Sequence, residues 1–181
     1  ARLGEATEDE RLRWKYIPEG ERLASKCLDK GRDLTVELSR YEEKAKTYLL
    51  RGAESVLLVN ISLPKNELAK SKNERAMAGL MSLKNDKAAV EAVFGEMRHI
   101  FDHYAEQGKQ QREQAYESLK AEFKVKLEQA IEQQLGSTAS LEVNVESLPQ
   151  FKEEWRRTLA QLDSQYINLL EEYKQELKGI N

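Results

Sequence analysis

Apolar and small residues recur along most of this chain in alternating steps of three and four, the spacing that places them on one stripe of an α-helix. Between Glu19 and Asn60 one row is Ala24, Gly31, Leu38, Ala45, Gly52 and Val59, every seventh residue. Its companion row is Cys27, Leu34, Tyr41, Tyr48 and Ser55. The pattern predicts a first helix over 18–60, roughly 60 Å long at about 1.5 Å per residue. The first row is mostly small. A glycine inside a helix costs about 1 kcal/mol relative to alanine, so Gly31 and Gly52 on one seam imply that a second helix backbone lies close to them.

Ahead of this stripe, RLRWKY at 11–16 alternates Leu12, Trp14 and Tyr16 with Arg11, Arg13 and Lys15. Period two is the mark of an extended segment with one apolar face. Residues 1–17 therefore read as an N-terminal arm, with Pro18 suited to the first turn of the helix that follows.

The stripe is interrupted at VNISLP, 59–64, where Pro64 biases Leu63 away from the α region. Residues 61–71 read as a connector. Ser71 with Glu74 fits a capping box, so a second helix is expected from Lys72. Its seam runs through Ala76, Leu80, Leu83, Lys87, Val90, Phe94, Met97, Phe101, Tyr104 and Gly108. Because the phase survives Asn85 and Asp86, one helix is expected over 72–135, bent near Gly108. Beyond the bend the seam resumes one step shifted, at Tyr116, Leu119, Phe123, Leu127 and Ile131. Gly136 is a helix stop. Residues 137–147 form a second connector, with alternating Leu141, Val143 and Val145 suggesting a short extended segment near 141–145. Ser147 and Pro149 open a third helix over 148–179, with Val145 and Phe151 as a hydrophobic staple. Its stripe is Phe151, Trp155, Leu159, Leu162, Tyr166, Leu169, Tyr173, Leu177 and Ile180.

The expected fold is all-α. A single domain, 1–181, would form an elongated antiparallel bundle of three long helices with coiled-coil-like seams. Three helices leave part of such wide stripes uncovered, so self-association is expected.

Composition agrees with this class and narrows the partners. Charged residues make up 34% and apolar ones 40%, with only three prolines, which fits long helices and excludes a wholly disordered chain. The net charge of −3 is evenly distributed: 1–64 and 65–135 each hold 12 basic and 12 acidic residues, and 136–181 holds 5 and 8. No segment is basic enough to attract nucleic acid, and the net charge lends no support to an anionic membrane surface. Cys27 is the only cysteine, so no internal disulfide forms. The longest apolar run, Val56–Val59, is too short to span a bilayer, and no secretory signal is apparent. A cytoplasmic location is expected. In that setting the sequon Asn60-Ile61-Ser62 is accidental.

Little in the chain carries chemistry. His99 and His103, the only histidines, stand at i and i+4, and Glu96 with His99 makes an E-x-x-H pair of the kind that binds metal in carboxylate bundles. Such sites need carboxylates from several helices facing inward. The seam beside these histidines is Phe94, Met97, Phe101 and Tyr104, so no complete ligand set assembles and no metal or cofactor is assigned. Arg11, Arg13, Trp14, Lys15 and Tyr16 form the candidate interaction surface, able to stack on a partner or rest at a lipid boundary. Lys65, Lys70, Lys72 and Arg75 read as a solvated connector, and Cys27 as a small buried residue. No phosphate loop, nucleophile elbow or triad spacing is present, and no catalytic residue is assigned. The function expected is a non-enzymatic helical module that binds itself and a protein partner. The alternatives are a curvature-type scaffold on a membrane surface and a metal-binding bundle using Glu96, His99 and His103.

Overall fold

The computed structural model describes residues 4, 6–136 and 144–181, and among them every regular element is helical. The all-α class holds. The three long helices do not: the described residues form seven α-helices and one 3₁₀ turn. The chain divides into two compact units, residues 1–101 with 170–181, and residues 102–169.

In the first unit, α1 spans Glu8–Lys30, so RLRWKY is helical and not an extended arm. The reason is local. Thr7 Oγ1 accepts from the Glu10 amide at 3.2 Å and the Glu10 carboxylate accepts from the Thr7 amide at 3.1 Å. This capping box starts the helix eleven residues before Pro18. Pro18 then sits inside the helix and removes one backbone hydrogen bond; packing on both sides of it against a later helix offsets that cost.

The predicted helix over 18–60 is broken at Gly31. This residue takes φ 67, and its amide donates to the Cys27 carbonyl at 2.8 Å, closing α1 with a left-handed cap. Asp33 then caps the short α2, Leu34–Leu38, and α3 follows over Glu43–Val59. The heptad rows count residues but do not register a fold-back, and most of their members are buried in separate elements. Gly31, Ser55 and Val59 are exposed, Val59 to 75%. The helices α1 and α3 run in the same direction. Glu8 meets Lys44 near their starts, Ile17 and Gly20 meet Gly52 and Leu49 in the middle, and Cys27 and Leu28 share one cleft with Leu57 near their ends.

After α3 the chain turns through 60–66. The buried Asn73 holds this turn by accepting from the Ser62 amide at 2.9 Å and donating to the Ser62 carbonyl at 2.7 Å. Asn66, not Ser71, caps α4, which spans Glu67–Leu83. The second helix expected over 72–135 is therefore interrupted twice. At 84–86 the Asn85 and Asp86 amides donate to the Asn181 carbonyl at 3.0 and 2.8 Å, and the Asp86 carboxylate accepts from the Ala89 amide. Asp86 is a helix cap, and α5 spans Lys87–Ala105. The second break is Glu106, after which α6 spans Gln107–Leu135. The core of this unit gathers Leu23, Leu49, Leu57, Leu80, Phe94, Met97 and Leu177.

The second unit pairs α6 with α7, Pro149–Lys178. The partners run in opposite directions: Tyr116 meets Trp155 and Phe123 meets Phe151, while Tyr104, at the end of α5, meets Tyr166 further along α7. Gly136 caps α6 in the left-handed region at φ 60, as its position in the sequence requires. Of the extended segment expected at 141–145, residues 141–143 lie outside the described residues, and Val145–Ser147 is a 3₁₀ turn capped by Asn144. The Ser147 hydroxyl serves that turn, donating to the Asn144 carbonyl at 2.7 Å. Val145 packs in one cluster with Phe151 and Leu119, as the staple implies.

Candidate functional site

The five residues of the candidate interaction surface all lie on α1, but they do not share a role. Tyr16 turns toward the body of the unit, edge-on to Tyr41 with ring centroids 6.3 Å apart. Lys15 Nζ lies 5.1 Å from the centroid of the Tyr16 ring. Arg13 pairs with Asp9 at 3.2 Å along its own helix. Arg11 is exposed. Trp14 is the outlier, with 65% of its surface open to solvent.

The helix beneath Trp14 is firmly held. A β-carbon on Gly20 would stand 2.1 Å from the Leu49 carbonyl oxygen, so α1 and α3 touch backbone to backbone. Around this contact Tyr41 donates to Glu19 at 2.6 Å, Tyr48 donates to Asp9, and Lys44 pairs with Glu8 at 3.4 Å. The Arg22 guanidinium, with the Tyr41 hydroxyl second, holds the Glu19 carboxyl well below its usual range, at about 2. Glu19 in turn raises both the Arg22 guanidinium and the Tyr41 phenol. A large aromatic side chain is thus displayed on a rigid helix.

The histidine motif is divided in its contacts. His103 Nδ1 meets the Tyr166 hydroxyl at 2.7 Å, and Tyr166 also packs edge-on against Tyr104. Arg112 lies over the Tyr104 ring at 4.1 Å and donates to the Tyr104 carbonyl at 3.2 Å. Gly108 leaves the room for this arrangement: a β-carbon there would stand 2.9 Å from Arg112 Nη1 and 3.1 Å from the Tyr166 hydroxyl. His99 is exposed, and Glu96 takes a long hydrogen bond from Tyr173 at 3.5 Å. Burial, with Glu96 second, pushes the Tyr173 phenol up. Among the described residues no group of three or more His, Cys, Asp and Glu side chains stands together as a metal site.

A family model matches residues 35–179, from within α2 to past the end of α7. The chain belongs to DUF6657, a family of unknown function. No curated protein and no solved structure matches it. The DUF6657 match covers α3, α4, α5, α6 and α7 and leaves α1, with Trp14, ahead of it.

Two site residues escape sequence reading. Arg75 lies on α4, not in a connector, and donates to the Leu28 carbonyl at the end of α1, at 2.8 Å across 47 residues. Arg32 lies just past the Gly31 cap of α1. Both line a cleft beside the buried Cys27, whose thiol is pushed up by burial and is held protonated. No spacing rule joins Arg32 to Arg75; only the packing of α4 against the end of α1 does. No described helix is long and apolar enough to cross a membrane.

Proposed function

We propose that this DUF6657 member is a non-enzymatic, cytoplasmic helical module that self-associates through coiled-coil-like contacts and presents helical faces to a protein partner. The observation that carries the reading is Trp14, 65% exposed on a helix that is fastened backbone to backbone to α3. Tryptophan is among the residues most enriched at the energetic centres of interfaces. Its rigid placement removes much of the ordering cost of binding. Arg11 and Lys15 beside it supply a polar rim.

Trp14 and Trp155 are the only tryptophans, which gives the reading a direct test. In a Trp155→Phe background, Trp14 emission is followed across a concentration series alongside sedimentation velocity. Self-association through this face shifts the emission to the blue as a larger species forms, and Trp14→Ala abolishes the larger species. A monomer at every concentration, with solvent-like Trp14 emission, refutes the self-association. A blue shift on anionic vesicles in place of a protein complex would favour the membrane-surface alternative.

A further inference from the structure

A cleft of about 320 Å³ opens in the first unit between the end of α1, α2 and one face of α4. Its size is at the small end of small-molecule sites, which run from roughly 300 to 1,000 Å³. The inner wall is apolar, built from the buried Cys27, Leu28, Leu34 and Leu57, with the exposed Ala78 also in the lining. Gly79 keeps the wall shallow: a β-carbon there would press on the Leu57 methyls at 3.1 Å. The polar part of the lining is two guanidiniums, Arg32 and Arg75, with Asp33 and Ser82.

We propose that this cleft binds a small apolar carboxylate, with its hydrocarbon or aromatic body on the leucine wall and its charge on the two arginines. The charges of the lining support an anion. The Asp33 carboxylate is turned back to cap α2, accepting from the Thr35 amide at 2.9 Å. Glu37 stands 4.0 Å from Arg32 and closer, at 3.5 Å, to Arg40. Arg75 gives one N–H to the Leu28 carbonyl. A guanidinium has five N–H donors in a planar fork that matches a carboxylate. The bond to Leu28 therefore fixes that fork at the cleft while leaving it donors for a ligand. The Cys27 thiol, pushed up first by burial and then by the Glu37 and Asp33 carboxylates, stays neutral and adds apolar wall. A polyanion would find too few donors here, and a neutral apolar molecule would leave the remaining guanidinium donors unused.

The test uses fluorobenzoate as the probe and fluorobenzamide as its neutral counterpart, followed by ligand-observed fluorine NMR on the full chain. The expected result is saturable binding of fluorobenzoate with a Kd on the order of 1 mM and binding of the amide at least about tenfold weaker. Ala78→Phe fills the cleft from an exposed position and abolishes binding, with circular dichroism confirming the fold. Arg32→Gln weakens fluorobenzoate about tenfold and leaves the amide unchanged; it is preferred to Arg75→Gln because Arg75 also caps α1. No binding of fluorobenzoate, equal binding of the amide, or unchanged binding in a folded Ala78→Phe variant would each overturn the proposal. So would tight binding of a peptide carboxy-terminus that fluorobenzoate fails to displace.

Discussion

Gly20 of α1 and Gly52 of α3 form a single backbone crossing. A β-carbon on Gly20 would stand 2.1 Å from the Leu49 carbonyl oxygen, and one on Gly52 would stand 2.1 Å from the Ile17 carbonyl oxygen. Both obstructions are main chain, so no rotamer change relieves them. Alanine at either position gains about 1 kcal/mol of helix propensity and forces the helices apart, at an overpacking cost of about 1–3 kcal/mol or more. Because neither main-chain clash can relax by a rotamer change, the cost falls at the upper end of that range, and Gly20→Ala and Gly52→Ala are each expected to be net destabilising by about 1–2 kcal/mol in urea unfolding. Because they share one contact, the double variant should lose less than the sum. A neutral or stabilising Gly52→Ala would contradict the crossing.

Acid should weaken the same helix pair through Glu19. Its carboxyl is depressed in the folded chain to about 2, from an ordinary value of 4.5. A depressed carboxyl contributes stability above its unfolded pKa, and that contribution is lost as pH falls from about 4.5 towards 2. Glu19→Gln should therefore be less stable than the parent at neutral pH, with the difference closing across that window. Urea midpoints measured at successive pH values would check this; a difference independent of pH would refute it.

Asn73 is 3% exposed and satisfies both the amide and the carbonyl of Ser62. Asn73→Ala strands two backbone groups in the turn before α4. Ser62 is itself exposed, so water partly replaces the lost partners, and at about 1 kcal/mol for each group the loss should be about 2 kcal/mol. Asn73→Asp keeps the acceptor and removes the donor, so it should also destabilise. Thermal melts read both, and amide exchange at Ser62 should rise in Asn73→Ala more than in Asn73→Asp, which keeps the acceptor for that amide.

Phe151 anchors the second unit, 2% exposed and edge-on to both Tyr116 and Phe123. Phe151→Ala should cost about 3–5 kcal/mol by removing buried surface and leaving a cavity. Hydrogen exchange would show increased exchange over α6 and the start of α7. Equal protection across that hairpin in the variant would contradict the assignment of Phe151 to its core.

Trp14 shows how a segment can stand out in a sequence before its geometry is known. Its aromatic-basic composition is legible, and it drew attention to residues 11–16. Period two points to an extended arm only because it is confined to a stretch of six residues. The capping box Thr7–Glu10 lies just outside it and decides the matter. The histidine pair was legible as a spacing, but its partner Tyr166 lies 63 residues away and was out of reach.

By itself the sequence determined what depends on a few neighbouring residues: the helical class, the start and stop of α7, the Gly136 cap, the Val145–Phe151 staple and the close backbone approach at Gly52, though not the one expected at Gly31, where a β-carbon would meet nothing within 4 Å. Periodicity, caps and turn chemistry act within one or two helical turns, so they are written locally. Only the tertiary structure decided which helix lies against Gly52, that the Gly31 cap folds the first stripe back on itself, and that Asn85 and Asp86 break a seam whose phase continues. Those outcomes depend on hydrogen bonds and packing between segments far apart in the chain, such as Asn181 with Asn85 and Arg75 with Leu28. A hydrophobic period counts residues along the chain and does not record where the chain turns back.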